Sequence, residues 1–210
     1  MIYLIITSSI VDKDLHTKKD DEFRKETYLN SIRTSLDMLP PEITPIIVEN
    51  NGKRETYLDN FGLEVFYTTN NIKPVHCHKA INEIEDIKNV IKEYNIQDDD
   101  IIIKLTGRYK VYHPFFFNFV YENQMDYDVF IKFFNAAEMK YDDNDCVMGL
   151  FAMRCKYLKG FKFIEEFGQG NPSAEVQFCK YIKNSNCRIY KMDYLYATFC
   201  FADDWLITDI

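Results

Sequence analysis

Short, uninterrupted apolar runs alternate along this chain with stretches in which apolar residues recur at helical spacing. The first run, Ile2-Tyr3-Leu4-Ile5-Ile6, is rich in β-formers and passes directly into Thr7-Ser8-Ser9, the pattern of a strand buried on both faces that leaves into a polar loop. After a charged stretch from Asp12 to Glu22, Leu29, Ile32, Leu36 and Leu39 recur at spacings of three, four and three until Pro40-Pro41, which predicts an amphipathic helix and its stop. Pro45-Ile46-Ile47-Val48 reads as a second buried strand, closed by the turn-like Glu49-Asn50-Asn51-Gly52. A third strand is expected over Leu63 to Tyr67, and Ile84, Ile87, Ile91 and Tyr94 mark a second helix. The run Ile101-Ile102-Ile103-Lys104-Leu105, entered at Asp100 and left through Thr106-Gly107-Arg108, is the next strand. Further strands are expected over Asp128 to Phe134 and Val147 to Met153, and a helix over Ala174 to Ile182. Strands alternating with helices predict an α/β fold with a mostly parallel sheet and helices on both faces.

Composition fits one domain over residues 1–210: 47% of the residues are hydrophobic, enough for a sizeable core. Lys and Arg number 25 against 33 Asp and Glu, and the net charge of −8 argues against nucleic acid as the main partner. A diphosphate needs only a few well-placed cations, so a small anionic ligand stays open. The first ten residues hold too short an apolar run, without a basic leader, for a signal peptide or membrane span. That predicts a cytoplasmic protein. Six cysteines without any Cys-x-x-Cys pair suit reduced, buried thiols better than a disulfide framework or zinc ribbon. Nothing in the pattern specifies an oligomer.

In an open parallel sheet, ligands bind beyond the carboxyl ends of the strands. Three such ends are polar: Thr7-Ser8-Ser9, Glu49-Asn50-Asn51-Gly52 and Lys104-Leu105-Thr106-Gly107-Arg108-Tyr109. The third has the plainest logic. Glycine lets backbone approach a ligand, Arg108 offers a planar fork of donors to phosphate oxygens, and Lys104 adds a point charge. Alternation puts Lys104, Thr106 and Arg108 on one side if the strand stays extended. The alternative is an ordinary strand exit whose Arg108 pairs with a surface carboxylate.

The order of elements, the opening Leu4-Ile5-Ile6-Thr7-Ser8-Ser9 and the Lys104-to-Tyr109 strand end resemble small glycosyltransferase-like proteins of the GT-A (Rossmann-like) fold, such as those encoded by large DNA viruses. The resemblance implies a hexosyltransferase-type enzyme that moves a sugar from a nucleotide-diphosphate donor, a UDP-sugar by expectation, to a carbohydrate or glycan acceptor. For a viral protein the compartment would be host cytoplasm. It implies that Thr7, Ser8, Ser9, Glu49 and Asn50 hold the nucleoside, that Lys104, Thr106, Gly107 and Arg108 face the diphosphate, and that Met148 to Ala152, with Gly149 and Phe151, meets donor sugar and acceptor. Such folds usually end the central strand in Asp-x-Asp, which holds divalent Mn or Mg. Here the matching residues are Lys104-Leu105-Thr106, so a metal would need other carboxylates: Asp98 to Asp100, or Asp142, Asp143 and Asp145, which read equally as solvated loops.

Inverting transfer needs a carboxylate that removes the acceptor hydroxyl proton. Glu175 is the candidate, opening a helix behind Gly168 to Ser173 with Ser173 as N-cap; its plain alternative is to complement the helix dipole. His76-Cys77-His78 is either a metal-binding pair of histidines or a polar loop ahead of Lys79, which lies near a helix N-terminus and so near a possible phosphate. Arg24 has the same two readings. Three functions therefore compete: an inverting glycosyltransferase, a non-catalytic nucleotide-sugar or glycan binder, and a sugar nucleotidyltransferase. The last usually carries a Gly-rich loop after strand one, which Thr7-Ser8-Ser9-Ile10 lacks.

Overall fold

A computed structural model describes residues 1–11, 18–72, 79–163, 170–200 and 207–210. The runs of β-branched residues become the centre of a seven-stranded sheet of order β3-β2-β1-β4-β7-β6-β8. Its strands are β1 (Ile2–Ser8), β2 (Ile43–Glu49), β3 (Val65–Tyr67), β4 (Ile101–Thr106), β6 (Val129–Ile131), β7 (Leu150–Arg154) and β8 (Ile189–Lys191). Every residue of β1 and β4 is buried, as expected for strands covered on both faces. β1 pairs in parallel with β2 and β4, Ile5 lying opposite both Ile46 and Lys104.

Alternation splits the apolar residues between two layers. Leu4, Ile6, Ile103 and Leu105 pack against Tyr28 and Ile32 of α1 (Lys18–Asp37) and against Phe116, Phe117 and Val120 of α3 (Phe115–Asn123). Tyr3, Ile5, Ile102 and Met153 pack on the other face against α2 (Lys79–Glu93), α4 (Cys155–Gly160) and α5 (Ala174–Asn184). Helices therefore cover both faces, as the periodicity predicts.

The sheet departs from the expected direction at β7, which runs antiparallel to both β4 and β6. A fully buried strand shows the same apolar run whichever way it points, so the sequence does not signal this reversal. The expected strand over Asp128 to Phe134 shortens to three residues, and that over Val147 to Met153 shifts to Leu150–Arg154. A second sheet of order β10-β9-β5 adds β5 (Lys110–Val111), β9 (Ala197–Cys200) and β10 (Ile207–Asp209).

Because β7 alone is reversed, the exits of β1, β2, β4, β6 and β8 and the start of β7 share one end of the sheet. The opposite end is clasped by ion pairs: Asp98 with Lys159 at 2.7 Å, Asp100 with the amino terminus at 2.6 Å, and Asp128 with Arg154 at 2.8 Å and Arg188 at 3.2 Å. Asp98 to Asp100 thus lie at the start of β4, far along the strand from its exit, where Asp98 and Asp100 serve these pairs and Asp99 lies 3.8 Å from Lys156. Among the described residues, Cys146, Cys155, Cys179 and Cys187 are free thiols, the first three buried.

Candidate functional site

From β1 the sheet grows through β2 on one side and through β4 on the other. That reversal of strand order opens a crevice at the carboxyl ends of β1 and β4, where open α/β sheets bind ligands. Thr7 and Ser8 end one wall and Thr106 ends the other.

The polar residues around β1 and β2 form a closed frame. Glu49 is fully buried, and its carboxylate accepts from Asn51 Nδ2 at 2.6 Å, Ser8 Oγ at 3.0 Å and the Ile10 amide at 3.2 Å. Burial pushes its carboxyl above the usual range, against these hydrogen bonds and the nearby Arg54 charge. Ser9 is held by its carbonyl, which accepts from Arg24 Nε at 2.8 Å, by its amide, which donates to Tyr28 Oη at 3.0 Å, and by its hydroxyl, which accepts from Asn71 at 2.9 Å. Asn50 turns inward and donates to Asp86 of α2 at 2.9 Å. Asp86 also accepts from Thr68 at 2.5 Å and Asn70 at 2.7 Å, and burial raises its carboxyl to about 6. Glu49 and Asn50, expected to meet the nucleoside, are placed to shape the loops that would do so. Asn51 belongs to one of the three polar strand ends, whereas Asn71 and the buried Asp86 lie outside them. The available signal was Asn82 and Asp86 on the same inward stripe as Val90.

At the end of β4, Lys104 is 2% exposed. Its ammonium meets Glu83 Oε2 of α2 at 2.7 Å, Thr106 Oγ1 at 2.5 Å and the Met148 carbonyl at 2.8 Å. This donor set does not fit the divalent ion implied by Asp-x-Asp: a cation already occupies the strand end, and Glu83 is its one carboxylate partner. Among the described residues, no three His, Cys, Asp or Glu side chains are placed to share a metal. His76-Cys77-His78 lies outside the described residues, and Lys79 is the exposed first residue of α2.

Arg108 does not share a side with Lys104. β4 ends at Thr106, and a turn closed by the Tyr109 amide on the Thr106 carbonyl at 2.8 Å carries Arg108 toward α1. There it lines a separate cavity of about 400 Å³ with Phe23, Thr27, Ser31, Lys110 and Phe199. Gly107 has a different purpose from the expected one. Its amide donates to the Thr7 carbonyl at 2.8 Å, and an added Cβ would lie 2.8 Å from the Tyr28 ring. Gly149 is likewise a seat for the Tyr109 ring, and Phe151 lies fully buried against Phe178 at 4.8 Å. Phe151 therefore belongs to the core.

Glu175 is half-buried in the first turn of α5, which Ser173 caps by accepting from the Val176 amide at 3.2 Å. The Glu175 carbonyl accepts from the Cys146 thiol at 3.3 Å, bringing this turn against the segment that leads into β7. Beside it, burial and then the charges of Glu175 and Asp142 raise the Asp145 carboxyl to about 6. Asp143 is instead held well below the usual carboxylate range by Lys183, Lys191 and Tyr141.

No protein-family model matches this sequence, and neither does any curated protein. Solved structures do resemble it. A nucleotide-diphospho-sugar transferase from Desulfovibrio desulfuricans G20 aligns with a TM-score of 0.56 at 10% identity over 91% of this chain and 80% of its own. The fold is GT-A-like. CMP:2-keto-3-deoxy-manno-octonic acid synthetase complexed with CTP aligns with a TM-score of 0.52 at 13% identity, covering 91% of this chain and 90% of its own. A197 from STIV aligns at 0.50 with 13% identity over 97% and 87%. At such identities the likeness concerns the fold. No described helix is long and apolar enough to cross a membrane.

Proposed function

We propose that this chain is a glycosyltransferase, akin to the small GT-A-fold proteins of large DNA viruses, that binds a nucleoside diphosphate sugar across the β1/β4 crevice and passes the sugar to a glycan acceptor with inversion. The observation that carries this reading is the buried Lys104 ammonium at the strand end where the fold ordinarily gathers charge for a diphosphate. Lys104 supplies that charge itself. Its partner Glu83 is 26% exposed in its side chain, so the donor diphosphate competes with Glu83 for the ammonium. A thermal-shift panel of nucleotide sugars tests this. The matching UDP-sugar at about 100 times its Kd should raise Tm by roughly 5–10 °C, equally with Mn, Mg or EDTA. Lys104→Met should remove the shift and Glu83→Gln should enlarge it; a shift that depends on metal or survives Lys104→Met defeats the reading.

For the chemistry, a carboxylate takes the acceptor hydroxyl proton as its oxygen bonds to the anomeric carbon and the bond to the diphosphate breaks. Glu175 fills this role, with Asp145 beside it as the rival whose raised carboxyl suits a base near neutrality. Glu175→Gln should bind donor normally and slow transfer by about 10²–10⁴-fold. If Asp145→Asn alone is slow, the roles are exchanged. Unchanged rates in both variants would exclude both carboxylates, whereas no transfer by the parent chain, with donor still bound, would favour a non-catalytic binder, the reading that the closed Lys104–Glu83 pair also serves.

A further inference from the structure

A second cavity lies on the exit end of the sheet, over β6 and β8. Its volume is about 470 Å³, within the ordinary range of ~300–1,000 Å³ for small-molecule sites. Phe133 and Met192, both buried, are among the residues that line it, and Tyr141 and Tyr194, each 63% exposed, stand beside them. We infer that this cavity binds a neutral oligosaccharide, separately from the nucleotide crevice.

The lining decides the ligand class. Lys132 lies 5.2 Å from the centre of the Tyr194 ring and 5.4 Å from that of Phe134, and it donates to the Asp193 carbonyl. Lys191 pairs with Asp143 at 3.0 Å, and Asp143 also accepts from Tyr141 Oη at 2.8 Å. Lys132 is held on the Asp193 carbonyl, and Lys183 and Lys191 share the Asp143 carboxylate at 2.6 and 3.0 Å, so each ammonium beside the cavity is already engaged by a protein oxygen. An ammonium has three donors, and those not used in these contacts can meet hydroxyl oxygens. Exposed aromatic faces beside fixed polar groups match a pyranose, which presents an apolar C–H face and a rim of hydroxyls.

The aromatic surface also continues outward. Tyr196 lies 6.0 Å from Tyr194, and Phe115 lies 5.4 Å from Tyr196, centroid to centroid. Such a strip favours a chain of sugars over a single one. Only the role of this saccharide as acceptor rests on the proposed glycosyl transfer; its binding does not.

The test uses the full chain on an array of immobilised neutral glycans of the gluco-, manno-, galacto- and chito-series, from monosaccharide to tetrasaccharide, followed by NMR titration of the retained series in solution. Retention should strengthen with length. Tyr194→Ala and Tyr141→Ala should each weaken it about tenfold or more, the scale of a lost stacking contact, while Tm and nucleotide binding stay unchanged. No retained series, equal affinity in both variants, or uridine monophosphate as the ligand that these variants lose would overturn the inference. A protein that retains glycans but binds no nucleotide sugar leaves the inference standing and removes the donor reading; the converse result removes only the inference.

Discussion

Gly149→Ala is expected to destabilise the protein by about 3 kcal/mol, the upper end for an overpacked core, or roughly 10 °C in Tm. A Cβ there would sit 1.9 Å from Cε2 and 2.3 Å from Cζ of Tyr109, far inside contact distance. The ring has no cheap way out, because its other neighbour is Phe199, stacked at 5.3 Å between centroids. Backbone relief is also blocked, since the Gly149 carbonyl accepts from the Thr106 amide at 2.8 Å and so fixes β7 beside the end of β4. A double-mutant cycle separates this collision from a general intolerance of the site. Tyr109→Ala alone should cost the packing of its ring, and Gly149→Ala should add little once that ring is gone. Strictly additive losses would mean that Gly149 is required for another reason.

Asp128→Asn should cost about 3 kcal/mol, toward the low end for breaking a buried ion pair because Arg188 still reaches water. Asp128 joins the starts of β6 and β8 to the end of β7, accepting from Arg154 Nε at 2.8 Å, the Arg188 amide at 2.9 Å and Arg188 Nε at 3.2 Å. Burial alone would raise its carboxyl, but the Arg188 and Arg154 hydrogen bonds outweigh it and hold it at about 2. The folded value lies below the ordinary 3.8, so this stabilisation is present above about pH 4 and is lost as pH falls toward 2. Asp86 has the opposite sign. Its folded value of about 6 exceeds the ordinary 3.8, so its contribution is complete below about pH 4 and is lost as pH rises through 6. Denaturant melts across pH should therefore show the Asp128 variant losing most relative to the parent at neutral pH and converging on it in strong acid. A constant difference across the range would detach Asp128 from acid unfolding.

Much of the frame was legible because its signals are local. β1, β2 and β4 are unbroken apolar runs, and α2 and α5 keep helical periodicity, so their existence follows from which faces must be buried. α3 was missed because Phe115-Phe116-Phe117 is apolar without a period. The strands of the small sheet, two to four residues long, are shorter than any pattern can mark. The site was legible as three polar strand ends, yet the partner of each side chain was not. Glu83 finds Lys104, and Asp86 finds Asn50, only after α2 has docked. Arg108 parted from Lys104 because one turn breaks the alternation that the strand had kept.

The ion pairs of Asp98, Asp100 and Asp128 lie where β4, β6 and β8 begin and β7 ends, while the crevice and the cavities beside Arg108 and Tyr194 lie at the other pole. One end of these strands is thus pinned by the pairs of Asp98, Asp100 and Asp128, and the polar strand exits gather at the other. The exposed tip of the segment between β6 and β7, residues 137–140, can change in length or charge while the clasped pole keeps the sheet in register. Variation at that tip leaves untouched the pairs that align the strands.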